Sequence, residues 1–92
     1  MKASFHRNFK KSYRKLPPKI REQFKAKLRI FLSDPFHPLL NNHALHGEYA
    51  GIRSINITGD YRAWYGAPVV SPRGGSAEIE FIIIGTHSEL YS

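Results

Sequence analysis

The stretch Glu78-Ile-Glu-Phe-Ile-Ile-Ile-Gly-Thr-His-Ser-Glu-Leu-Tyr91 opens with alternating charged and apolar residues, then runs without interruption from Phe81 to Ile84. A largely β-branched run of that length, closed by Gly85, reads as a strand buried on both faces and therefore central in a sheet. Beyond it, Thr86, His87, Ser88, Glu89 and Tyr91 set polar and titratable groups where the strand surfaces. A rigid strand that ends in a cleft is a sound mount for a catalytic His87. The plainer alternative is that His87 caps the terminal turn.

The segments before this strand supply its neighbours. Pro68 to Ser76 is a Pro/Gly/Ser loop, and Tyr61 to Tyr65 is an aromatic strand. Thr58-Gly59-Asp60 makes the turn into it. From Gly51 to Thr58, Ile55 and Ile57 alternate with Ser54 and Asn56, the pattern of a half-buried strand. Asp34 to Gly47, with two prolines, Asn41-Asn42 and three histidines, reads as a long loop holding about one helical turn.

Further upstream the period changes. From Arg7 to Leu16, Phe9, Tyr13 and Leu16 follow Phe5 at helical spacing, and Pro17-Pro18 ends that helix and opens the next. Ile20, Phe24, Leu28, Phe31 and Leu32 mark one face of a second helix that stops near Ser33-Asp34-Pro35. Ala3 to His6 is a short first strand. The expectation is an α+β fold: a short N-terminal strand, a basic two-helix hairpin, then an antiparallel β-meander covered by the helices on one face. The 92 residues form one domain spanning 1–92.

Composition narrows the chemistry. The absence of cysteine removes disulfides, thiolate metal sites and a cysteine nucleophile. No run approaches the ~18 apolar residues of a membrane span, and Met1-Lys-Ala-Ser lacks a signal peptide's apolar core, so a cytoplasmic location without membrane partners is expected. Up to Ser33 there are eleven basic residues and one acid, a charge of +10. The remainder has three arginines and six acids, a charge of −3. Such asymmetry points to a polyanion, nucleic acid first, with Lys10, Lys11 and Arg14 as candidate contacts; a solvated helix face is the bland alternative.

His43, His46, Arg53, Asp60, Arg62, His87 and Tyr91 are the residues able to do chemistry. A metal-free ribonuclease needs a base for the ribose 2′-hydroxyl, an acid for the departing 5′-oxygen and cations over the phosphorane. Imidazole and carboxylate suit the proton transfers. Arginine suits the phosphorane because its planar fork matches two oxygens. The alternatives stay open: Asp60 as a turn former, Arg53 and Arg62 in surface ion pairs with Glu48, Glu78 or Glu80, Tyr91 covering the core edge, or His43-x-x-His46 with His87 holding zinc.

Leu45-His-Gly47, Gly51-Ile-Arg53, Gly59-Asp-Tyr-Arg62, Tyr65 and Gly85-Thr-His-Ser-Glu-Leu-Tyr91 together resemble the RelE/ParE superfamily of bacterial toxins, most closely its YafQ-like branch of mRNA interferases. The likeness spans essentially the whole chain, and its Gly-Thr-His-x-x-Leu-aromatic ending is its most specific part. It implies a ribosome-dependent endoribonuclease without metal or other cofactor, in contact with mRNA and 16S ribosomal RNA and neutralised by a cognate antitoxin protein. It also implies roles: His87 as the catalytic histidine, Asp60 as the acid of the Asp-aromatic turn, His43 as a second histidine. By the same likeness Arg53 and Arg62 are the strand arginines, Arg53 as the catalytic clamp on the phosphorane and Arg62 as a substrate contact, and Tyr91 is the aromatic near the substrate base. Asn56 and Ser54 depart from it, standing where the branch carries a histidine and an aspartate, and the Pro68–Ser76 loop is long for the branch. Two rival readings remain: a non-nucleolytic toxin of the ParE kind acting on DNA gyrase, and a basic RNA-binding module without catalysis.

Overall fold

The computed structural model describes residues 2–69 and 78–91. Strand β1 (Lys2–Phe5) leads into helices α1 (Arg7–Arg14) and α2 (Pro18–Ser33). A 3₁₀ turn (Pro38–Leu40), β2 (His43–Ala44) and a second 3₁₀ turn (Gly47–Tyr49) follow. The chain closes with β3 (Ile52–Asn56), β4 (Tyr61–Val69), β5 (Glu78–Thr86) and α3 (His87–Tyr91). One sheet runs in the order β1-β5-β4-β3-β2, parallel between β1 and β5 and antiparallel elsewhere. The expected architecture is the one found.

Both helices start on residues that suit a first turn. His6 Nδ1 accepts the Asn8 N–H at 3.0 Å, capping α1, while Pro17-Pro18 opens α2. Phe9 on α1 and Phe24 and Phe31 on α2 then drive into the sheet. Phe81 on β5 is the hub they meet. It is fully buried, with the rings of Phe9, Phe24 and Phe31 centred 5.5–5.7 Å away, within the range where tilted aromatic pairs attract. Where β1 ends, α1 takes over the exposed edge of β5: Ser12 Oγ accepts the Ile84 N–H at 3.2 Å and donates to Phe9 O at 3.0 Å.

The details depart from expectation at five places, the first being β2, a strand inside the segment read as a long loop, where His43 and Ala44 pair with Ser54 and Arg53. Beside β4, the pairs Trp64–Ile83 and Tyr65–Phe81 skip Ile82, a bulge that lets Ile79, Phe81 and Ile84 all face the helices. The apolar run is therefore not a strand buried equally on both sides, since Ile82 and Ile83 are half-buried. Leu32, read as part of the α2 core face, is 41% exposed beside Phe31 at 1%. Pro68 and Val69 belong to β4 rather than to a loop, and the rest of the Pro/Gly/Ser stretch lies outside the described residues. The segment after β5 is helical. Thr86 Oγ1 accepts the Glu89 N–H at 3.2 Å and Glu89 Oε1 accepts the Thr86 N–H at 2.9 Å, the reciprocal capping box of a helix start.

Candidate functional site

The sheet has one face under α1 and α2 and one covered only in part, by the short α3 and the Leu45 segment. Pairing assigns each candidate to a face, because directly opposed residues share one. The row His43, Ser54, Trp64, Ile83 crosses the open face, and Asn56, Arg62, Gly85 lie in a parallel row nearer the rim. Leu45, Trp64 and Leu90 form a small buried cluster there, flanked by Tyr49, Ile52 and Ile83.

The rim of this face is where β4 begins and β5 ends. The His87 N–H donates to Asp60 O at 3.0 Å, so the turn before β4 and the start of α3 are fastened together. Thr58 Oγ1 accepts the N–H groups of Asp60 and Tyr61 at 3.2 and 3.1 Å, which fixes the turn. Arg62 Nη1 sits among the carbonyls of Thr58, Gly59 and Tyr61 at 2.9–3.2 Å and braces it from below. Asp60 and His87 are both exposed.

An aromatic wall rises beside this pair. The His87 ring lies 4.6 Å from the Tyr91 ring, Tyr91 meets Trp64 at 5.2 Å, and Trp64 meets Tyr49 at 4.9 Å. The Glu48 charge, with a smaller contribution from burial, raises the Tyr49 phenol above its ordinary pKa. Trp64 Nε1 and Asn56 Oδ1 are the two buried side-chain polar atoms without a hydrogen-bond partner among the described residues, and both residues stand on this face. Most buried polar atoms are paired, so two orphans on one face set it apart.

The other candidates divide. His43 is exposed on the open face, but β2 and β5 are separated by three strand spacings, about 14 Å, so it stands across the face from His87. Arg53 is on the helix side, paired with Tyr65; its Nε donates to Asn42 Oδ1 at 2.8 Å and its guanidinium lies 5.3 Å over the Phe36 ring. Lys11 lines a cleft of about 320 Å³ with Asn8, Lys15, Gly85 and Glu89, next to the His87 end. Lys10 and Arg14 instead rim a separate apolar groove of about 420 Å³ floored by Phe9 and Phe24. The one ion pair among the described residues is Lys25–Glu22 at 3.1 Å, so neither Arg53 nor Arg62 pairs with Glu48, Glu78 or Glu80. Among the described residues no three His, Asp or Glu side chains gather as a metal site requires, and His43, His46 and His87 are not brought together.

Four contributors carry no clear mark in the sequence. His6 and His37 each cap a helical turn through Nδ1, a role for which histidine carries no strong sequence signal. Trp64 and Asn42 are site residues by position, on a strand and a loop whose alternation and contacts only the fold reveals.

No family model and no curated protein matches the sequence. Solved structures do match. The YoeB/ParE toxin from Agrobacterium tumefaciens superposes with a TM-score of 0.74 at 23% identity, over 95% of this chain and 99% of that one. YafQ from E. coli strain BL21(DE3) gives 0.76 at 15% identity, over 98% and 97%. The toxin–antitoxin complex RelBE2 from Mycobacterium tuberculosis gives 0.70 at 18%, over 94% and 96%. The fold implied by the RelE/ParE resemblance, YafQ-like branch included, is the fold of these neighbours.

Proposed function

We propose that this chain, sharing the fold of the YafQ and YoeB/ParE toxins, is itself the toxin of a toxin–antitoxin pair and acts as a ribosome-dependent endoribonuclease on mRNA. The observation that carries the reading is the fastening of His87 to the Asp60 turn beside the Trp64–Tyr91 wall. An exposed imidazole and carboxylate share one rim, with the exposed Tyr91 ring to receive a base.

The reaction follows from those groups. His43 or Asp60 takes the proton of a ribose 2′-hydroxyl, and the 2′-oxygen attacks phosphorus. The O2′–P bond forms as the P–O5′ bond breaks, and His87 delivers a proton to the leaving 5′-oxygen. The products are a 2′,3′-cyclic phosphate and a 5′-hydroxyl. Tyr91 stacks on a base, and Lys11 and Lys15 hold the RNA backbone beside the His87 rim. Arg53 is left out of phosphorane contact by its place behind the sheet, and Arg62 serves the turn. The basic helix hairpin attracts ribosomal RNA, so association weakens with salt. An acidic antitoxin segment neutralises the same charges, and the neighbour found as a toxin–antitoxin complex supports that partner.

Cleavage of mRNA on programmed ribosomes tests this. The native chain cuts, and His87→Ala loses about 10²-fold or more. Equal cutting by both would move the chemistry to Asp60 and His43. No cutting by either, with gyrase-cleaved DNA accumulating in cells, would favour the ParE-like reading.

A further inference from the structure

His43 hangs on a strand two residues long that pairs only with β3. So short an element does not aim a ring unaided. Two asparagines just before it do. Asn41 has φ 45° and ψ 48° and is the one non-glycine residue with positive φ among those described, a conformation that asparagine tolerates better than most residues. That kink turns its carbonyl back onto the ring, 2.8 Å from His43 Nδ1. A carbonyl oxygen only accepts, so Nδ1 carries the proton and the neutral ring keeps its lone pair on Nε2.

The arrangement is particular to this histidine. At His6 and His37, Nδ1 accepts a backbone N–H, at 3.0 and 3.1 Å, which demands the opposite tautomer. Asn42 then anchors the segment through the sheet. Its Nδ2 donates to Tyr65 Oη at 2.7 Å and to Pro35 O at 2.9 Å, and its Oδ1 accepts from Arg53 Nε at 2.8 Å. Tyr65 is buried against Phe31, with ring centroids 5.0 Å apart, so the chain of contacts ends in the rigid core.

We infer that Asn41 and Asn42 are positioning residues that hold His43 as the Nδ1–H tautomer, presenting Nε2 as the base for the ribose 2′-hydroxyl. Arg53 and Tyr65 brace them from behind the sheet. The inference rests on the ribonuclease reading and chooses His43 over Asp60 as its base.

Two readouts on the full chain test it: the ring ¹⁵N shifts of His43, which report the tautomer without any substrate, and cleavage on programmed ribosomes. The wild-type neutral ring carries its proton on Nδ1. In Asn42→Ala the two tautomers mix and kcat falls about 10²-fold with KM little changed, the scale of a misplaced catalytic group. Asn41→Gly, which keeps the left-handed turn, retains the Nδ1–H tautomer; Asn41→Val loses it. Should Asn42→Ala fail to fold, Tyr65→Phe removes one bond of the anchor and shifts both readouts in the same direction by less. A wild-type ring protonated on Nε2, or a lost tautomer with full cleavage, overturns the inference. A wild-type chain with the Nδ1–H tautomer that never cuts RNA overturns the ribonuclease reading instead.

Discussion

The two faces of the sheet are built on different rules. Under the helices, Phe9, Phe24, Phe31, Tyr65, Phe81 and Ile84 close into one continuous core. On the open face the cover is Leu45, Trp64 and Leu90 with a five-residue helix, and the two orphaned polar atoms of the molecule's described part lie there. The first face holds the fold and the second displays it. Most of the packing therefore lies on one side of the sheet and the proposed chemistry on the other, with Tyr65 and Arg53 reaching the His43 segment from the helix side through Asn42.

The sharpest way to break that contrast is at the hub. Phe81→Ala removes the ring that both helices meet and should cost about 3–5 kcal/mol, read by urea denaturation as a large fall in midpoint. A loss below about 1 kcal/mol would mean the helix face is not the core. Next is the cap of α3. Thr86→Ala removes the acceptor for the Glu89 N–H and should cost about 1 kcal/mol, with ¹H–¹⁵N shift changes confined to α3 and Trp64.

The same cap has a pH signature. Hydrogen bonds from Thr86, its backbone N–H first, hold the Glu89 carboxyl below its ordinary pKa. A group depressed in the folded state stabilises fully above its unfolded pKa, and that contribution disappears as pH falls through the folded value. Acidification below the usual carboxylate range should therefore loosen α3, and Glu89→Gln should remove that part of the dependence. An unchanged acid profile in Glu89→Gln would exclude the capping carboxylate as its source.

Smaller effects sharpen the comparison further. Trp64→Phe discards an indole N–H that has no partner, so the relief should offset much of the lost contact and leave stability within about 1 kcal/mol. A loss of about 3 kcal/mol would show that the open face is packed like the other. Leu32→Ser, one residue beyond buried Phe31 but itself exposed, should change stability by less than about 0.5 kcal/mol.

Much of this was legible in the residues. Helical spacing from Phe9 to Phe31 locates both helices, and the Phe81–Ile84 run locates the interior strand. Leu32 misled because periodicity at the end of a helix cannot tell a last core turn from a first solvent turn. The bulge at Ile82 was hidden because a continuous apolar run carries no alternation to interrupt. Two further features were present but unread. Thr86-His-Ser-Glu89 is a capping box in plain sequence, obscured because five residues are too few to show a helical period. Arg53 shares the parity of Ile55 and Ile57, so alternation alone places it behind the sheet, away from His43. The tautomer of His43 lay beyond sequence, since it depends on where one carbonyl points.

The parallel pairing of β1 with β5 joins residues far apart in the chain, as in the bond from Ser4 Oγ to Ile79 O across a separation of 75 residues. Closing so long a loop precedes any return from its contacts, and such closures are slow. Phe81, His87 and Tyr91, whose ring meets Trp64, all lie on the β5–α3 side of that closure, so the core hub and the His87 rim are both completed only once β5 has found β1.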